Sequence, residues 1–346
     1  MRNKLMEHFV VFFIVVVLTS CAVIYFTFDI QALEYLTIFE SWSVAAVLGV
    51  LFVGLFFDGT RLMNLTKASG EKLTVSEAIN VVLSNYFLAL ITPGASGGAV
   101  AQVLFMKKAG IPVAKATAVV IVRTAMSILF LILLIPLILY HDHALVSWVP
   151  ASVILTISLI IIAIPVAMVC FMNTRYPEHW LYAITGNFSK PIRRKAFLWY
   201  KDFRKASILL GKNPFRVFKA FIESGLSLLA IYSVVPVFIS GFGLNIPYQL
   251  IMGRMVLLNL ILYFSPTPGG SGIAEAGFVL LFSPLLPSGT VGIIAVLWRF
   301  ACEYLPFLLN KDNDGKTVYD KIKALFEYRI PYYIGPLNTH STKSWL

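Results

Sequence analysis

Charge is what this sequence has least of. Only 13% of its residues are Asp, Glu, Lys or Arg, against 58% hydrophobic, and its mean hydropathy is +0.82. A soluble globular domain carries about a quarter charged residues, so that class is excluded. Cysteine is nearly absent as well. Cys21, Cys170 and Cys302 lie in or beside apolar runs, at spacings that fit neither a disulfide framework nor a thiolate metal site, and read as small buried residues. Among the five histidines, His141-Asp142-His143 has ligand-like spacing but no third strong ligand nearby, so no metal is expected. The chain also lacks a nucleophile–base arrangement and a nucleotide fingerprint. Gly269-Gly270-Ser271-Gly272 is like a phosphate loop only in its glycines, because no Lys follows and no soluble strand precedes it. No catalytic residue and no cofactor is assigned.

What is abundant is the long apolar run. Six stretches have the length of a membrane-crossing helix: 8–28, 42–60, 112–140, 150–172, 217–241 and 290–310. The first contains Leu18-Thr19-Ser20-Cys21, which looks like a lipoprotein cleavage box. Its apolar character continues through Phe28, so it reads as a spanning helix rather than a cleaved signal. Two more apolar stretches, 76–108 and 247–285, are broken midway by Thr92-Pro93-Gly94 and Pro266-Thr267-Pro268-Gly269-Gly270. The pieces on either side are mostly short for a full crossing, which favours re-entrant hairpins over pairs of tilted spans. The expected fold is an all-α polytopic membrane protein with about six spanning helices and two re-entrant helical hairpins.

This layout puts both termini on one side, together with loops 61–76, 107–115 and 173–219 and the tail 311–346. That side holds 25 of the 28 Lys and Arg residues; the other three, Arg123, Arg254 and Arg299, lie inside apolar segments. The net charge of +11 therefore marks a cytoplasmic face. It does not indicate nucleic acid. In loop 173–219, Lys190, Arg193, Arg194, Lys195, Lys201, Arg204, Lys205 and Lys212 alternate with Phe197, Trp199, Tyr200 and Phe203, as in an amphipathic helix lying on anionic lipid.

The two breaks repeat each other. Thr-Pro-Gly-Ala-Ser-Gly at 92–97 matches Thr-Pro-Gly-Gly-Ser-Gly at 267–272 in five of six positions, and Arg123 and Arg299 follow Pro93 and Pro268 by 30 and 31 residues. Three spans separate the breaks, so the copies run in opposite senses, as in an inverted transporter repeat. The chain divides into 1–40 (first helix and outer loop), 41–140 (first repeat), 141–216 (connecting span and basic loop), 217–310 (second repeat) and 311–346 (cytoplasmic tail).

The candidate substrate-binding residues follow from the breaks. Pro93, Gly94, Gly97 and Gly98, and Pro268, Gly269, Gly270, Ser271 and Gly272, stop one half-helix and open the next, whose unpaired N–H groups and positive dipole end suit an anion. Arg123 and Arg299 each lie about ten residues into a span, where a guanidinium costs about 2.5–3.5 kcal/mol and needs a partner or a cavity. Glu303, one turn from Arg299, offers a structural salt bridge. Arg123 has no acid within a turn, so its partner must come from elsewhere. Arg254 lies nearer the outer face, where snorkelling to the interface is the alternative to a place in the substrate path. Glu275, one turn into the second half-helix, could stabilise the helix start, pair with an arginine, or bind a cationic headgroup or a proton; the first copy has Val100 there. Asp58 and Glu223 fall at span ends and read as interfacial.

Ser-Pro-Thr-Pro-Gly-Gly-Ser-Gly-Ile-Ala-Glu-Ala-Gly at 265–277 followed by Arg299, and Ile-Thr-Pro-Gly-Ala-Ser-Gly-Gly-Ala-Val-Ala-Gln-Val-Leu-Phe-Met-Lys-Lys-Ala-Gly at 91–110 followed by Arg123, resemble the motifs of the lysylphosphatidylglycerol synthase transmembrane family. The resemblance covers roughly residues 10–310. It implies a bacterial cell-membrane protein that moves an anionic or aminoacylated phospholipid, or a related lipid-linked headgroup, between leaflets, with a link to cationic-peptide resistance. The family's soluble aminoacyl-transfer domain is not visible here, which puts lipid synthesis in doubt. A phosphatidylglycerol lysyltransferase-type enzyme or its membrane subunit, and a scaffold for a glycosyltransferase, are the alternatives. Membrane lipids are the expected partners, with a lipid-modifying enzyme or glycosyltransferase and a second copy of the chain as further candidates.

Overall fold

A computed structural model describes residues 39–92, 96–142, 212–287 and 289–308, with single helical positions between 193 and 208. The expected spans at 8–28 and 150–172, the tail, and Pro93 and Gly94 lie outside the described residues. All the regular elements described are helices: α1 Trp42–Ala68, α2 Val75–Ile91, α3 Ser96–Lys108, α4 Val113–His141, α5 Pro214–Tyr232, α6 Val234–Gly241, α7 Tyr248–Leu262, α8 Ile273–Phe282 and α9 Thr290–Arg299. A π-turn, Phe300–Tyr304, and a last helical turn, α10 Leu305–Leu308, follow. Among them α1, most of α4, and α5 continued by α6 are long and apolar enough to cross a membrane.

The helices begin and end where local chemistry dictates. Thr74 and Glu77 cap α2 reciprocally: the Thr74 hydroxyl accepts from the Glu77 amide at 3.3 Å and the Glu77 carboxylate accepts from the Thr74 amide at 2.8 Å. α2 stops at the first Pro-Gly break and α7 at the second. The two arms α2 and α3 pack side by side, and α7 packs on α8. α1 runs eight residues beyond the expected end of its span, carrying Arg61 inside the helix instead of in a loop.

Burial is inverted relative to a soluble protein. On α1, Phe52 is 72% exposed and Asp58 only 3%. The apolar outer face suits lipid, and the polar side chains turn inward because hydrocarbon cannot hydrogen-bond them. α1 packs mainly on α5, and α4 touches α1, α3, α5 and α7. Two apolar clusters result. One joins Val47 and Leu51 of α1 to Leu131 and Ile138 of α4, Leu228 of α5 and the helices of the second half. The other joins Leu62 and Leu65 to Val119, Val120, Ala220, and α2 and α3. Between them, on four helices, lies one polar layer: Asp58 and Arg61, Gln102, Arg123 and Ser127, Ser224 and Ser227.

A second buried pair fastens the far end of α4. Asp142, its C-cap residue, accepts from Arg254 Nε of α7 at 2.7 Å, and the Arg254 guanidinium also donates to the Leu281 carbonyl of α8. Arg254 is 3% exposed, so it does not snorkel to the interface. Removing one member of such a pair leaves an uncompensated buried charge. Asp142→Ala is expected to destabilise the protein by about 3–5 kcal/mol, and the double change Asp142→Leu with Arg254→Met to recover most of that; unfolding in mixed detergent micelles measures both.

Candidate functional site

The polar layer is built around Asp58. One carboxylate oxygen accepts from Arg61, a turn away on α1, and the other accepts from Arg123 on α4. Spacing of three residues on α1 and four on α4 points these groups the same way. Arg61 also donates to the hydroxyls of Ser127 at 2.7 Å and Ser224 at 2.6 Å, which ties α1 to α4 and α5. Arg123 donates to Gln102 of α3, and Gln102 donates to Asn85 of α2 at 2.7 Å. The partner that Arg123 needed is therefore Asp58, which the sequence placed at the membrane edge. Glu223 is buried as well, accepting both its hydrogen bonds from Asn64 at 2.8–2.9 Å.

The second arginine is held differently. Arg299, 2% exposed, donates from Nε to Glu275 at 3.0 Å, from Nη1 to Glu303 one turn on, and from Nη2 to the Gly269 carbonyl at 3.0 Å. The other Glu275 oxygen accepts from the Gly272 amide at 2.6 Å. The start of α8 is thus capped by the protein's own carboxylate, which occupies the place an exogenous anion would take. At the first break the Gly97 amide donates to the Thr92 hydroxyl at 2.8 Å. Both breaks use some of their free N–H groups internally. Each arginine reaches a polar side chain on the half-helix after its break: neutral Gln102 in the first copy, charged Glu275 in the second.

The breaks adjoin each other. Gly269 has φ +57°, and a Cβ there would stand 3.1 Å from the Leu90 carbonyl at the end of α2. Only glycine accepts both that backbone shape and that approach. Gly98, in the first turn of α3, lies against Asn85, where a Cβ would come within 2.5 Å of the side-chain oxygen. Pro268 and Gly270 form the second break's tight turns. Ser271 is buried with its hydroxyl unpartnered.

Asp58, Arg61, Arg123, Gln102, Gly269 and Glu303 share the wall of one cavity of 460 Å³. Arg299 and Glu275 are not in its lining; Arg299 stands behind it, bonded to Glu303 and the Gly269 carbonyl, which do line it. Arg254 belongs to the separate pair with Asp142. Two guanidinium N–H groups in the lining residues, Nε of Arg61 and Nε of Arg123, are buried and without a hydrogen-bond partner, as is Oε2 of Glu303. Buried donors are ordinarily paired. Two unpaired guanidinium donors on residues of the cavity wall suit an anionic oxygen group. The π-turn carrying Glu303 precedes Pro306, which has no N–H to continue the helix; such turns gather at functional sites.

The family model described as "Lysylphosphatidylglycerol synthase TM region" matches residues 10–309. A "UPF0104 membrane protein" of Archaeoglobus fulgidus is 21% identical over 255 residues, which cover 69% of this chain and 75% of that protein. No solved structure matches the chain.

Asp58 balances two buried cations, so Asp58→Asn is expected to destabilise the protein by about 3–5 kcal/mol. Adding Arg61→Met to that variant removes one of the two cations and is expected to restore part of the loss, a non-additivity that a double-mutant cycle of unfolding in detergent micelles reads directly.

Proposed function

This chain belongs to the lysylphosphatidylglycerol synthase transmembrane family, and from that premise we propose that it moves a phospholipid headgroup, anionic or aminoacylated, between the leaflets of the cell membrane. The observation that carries the reading is the cavity with two unpartnered, buried arginine donors, Arg61 Nε and Arg123 Nε. A phosphate ester needs such donors when it leaves water. The cavity wall combines these polar groups with aromatic and aliphatic side chains, among them Leu228, Ile231 and Trp298. That combination fits an amphipathic molecule better than a free ion. An aminoacylated headgroup would bring an ammonium group that Glu303 can accept.

In this reading the two broken segments are re-entrant and inverted, entering from opposite faces and meeting where Gly269 packs against Leu90. The termini and the basic loops face the cytoplasm, where Lys and Arg meet anionic lipid. Arg299 holds the second break in shape through Gly269 and Glu275, and Arg123 and Arg61 contact the phosphate. Translocation then requires the helices around the layer to open alternately to the two leaflets.

Leaflet exchange of a fluorescent phosphatidylglycerol in reconstituted vesicles tests this. A hydrogen bond to a charged group contributes about 1.5–3 kcal/mol, so Arg61→Gln or Arg123→Gln is expected to slow exchange by roughly ten- to a hundredfold. Arg299→Ala is expected to abolish it; exchange equal to wild type in Arg299→Ala would sink the translocase reading.

A further inference from the structure

The charges gathered at and behind the cavity wall balance one another when all are ionised: Asp58, Glu275 and Glu303 against Arg61, Arg123 and Arg299. A headgroup with a single negative charge would upset that balance in a site of low dielectric, where an unpaired charge is severely disfavoured. A compensating cation has to enter with it. The hydrogen bonds show where the smallest one, a proton, can go.

The three carboxylates present six oxygens. Asp58 gives one to Arg61 and the other to Arg123. Glu275 gives Oε1 to Arg299 and Oε2 to the Gly272 amide. Glu303 gives Oε1 to Arg299, while its Oε2 is buried without a partner, on a residue of the cavity wall. One carboxylate oxygen of the six is therefore without a hydrogen-bond partner. Resting on the lipid-binding reading above, we infer that Glu303 takes up a proton when an anionic headgroup binds, so that lipid and proton occupy the cavity together as a neutral pair.

The step balances. A proton leaves bulk water and bonds to Glu303 Oε2, giving a neutral carboxylic acid. Arg299 keeps Glu275 as its counter-charge. The phosphate oxygens accept the Nε–H bonds of Arg61 and Arg123. Among the described residues, the groups that face Glu303 are these. On its own helix they are Arg299, Cys302 and Tyr304, and from α8 Glu275 meets it across Arg299. Across the cavity stand Asp58 and Arg61 of α1 and Arg123 of α4, with the phenols of Tyr86, Tyr232 and Tyr263. Each carboxylate other than Glu303 has both oxygens engaged. A zwitterionic headgroup carries its own cation, and its binding needs no proton.

Calorimetry separates these cases. The full chain in detergent micelles is titrated at neutral pH with a water-soluble short-chain phosphatidylglycerol, and separately with the matching phosphatidylethanolamine, in two buffers of different ionisation enthalpy. The expected result is uptake of about one proton per phosphatidylglycerol bound and none for phosphatidylethanolamine. Glu303→Gln is expected to bind phosphatidylglycerol with no proton uptake. Binding of phosphatidylglycerol by wild type without proton uptake overturns the proposal, as does equal uptake with both lipids. Undiminished uptake in Glu303→Gln assigns the proton elsewhere and overturns it too. Binding of neither lipid overturns the lipid site itself, and the proton site falls with it. The wild-type comparison of two lipids decides the question even where the variant folds poorly.

Discussion

Asp58 spends both of its oxygens on guanidinium groups inside a bundle whose outer surface is apolar. A carboxylate between two arginines is one negative charge short of balance, and hydrocarbon supplies nothing to make up the difference. The surrounding helices do part of the work. Ser127 and Ser224 accept from Arg61, and Gln102 accepts from Arg123, so α1, α3, α4 and α5 all contribute to one layer. That requirement fixes how those helices rotate about their own axes. The apolar clusters on either side then pack against a layer that is already oriented, which keeps water and lipid away from the charges.

The second arginine shows the same requirement met in another way. Arg299 has two carboxylates and a carbonyl to itself and is fully paired. One cluster is left with excess positive charge and the other with excess negative charge, and residues of both face one cavity. This asymmetry between two copies of a repeated motif gives the site its polarity. The breaks supply the space. Where a continuous helix would fill the centre, Gly269 brings a turn against the end of α2, and the cavity opens beside it.

Much of this was legible beforehand. The membrane class, the two broken segments, the paired arginines and the Arg299–Glu303 contact all follow from hydropathy, Pro-Gly punctuation and a four-residue helical spacing. Asp58 and Glu223 read as interfacial and Arg61 as a loop residue, whereas all three are buried among the helices; the apolar run of α1 ends at Phe57, and hydropathy cannot distinguish a helix leaving the membrane from one turning a polar face inward. The available signal was spacing: Asp58 and Arg61 share a face of α1, as Ser224 and Ser227 do on α5. Gln102 carried no signal at all, since a neutral amide two residues from Val100 breaks no pattern.

The sequence by itself determined what kind of molecule this is. A shortage of charge, long apolar runs and two glycine-rich interruptions leave few folds other than a helical membrane protein with broken segments. Only the tertiary structure decided that Asp58 serves both Arg61 and Arg123 and that Glu275 joins Glu303 on Arg299. Asp58 and Arg123 are 65 residues apart in the chain, and Arg61 and Ser224 are 163 apart. Local periodicity reaches one or two helical turns. Pairings across such distances are set by helices packing face to face, and it was those pairings that left two arginine donors and one carboxylate oxygen without partners in residues of the cavity wall.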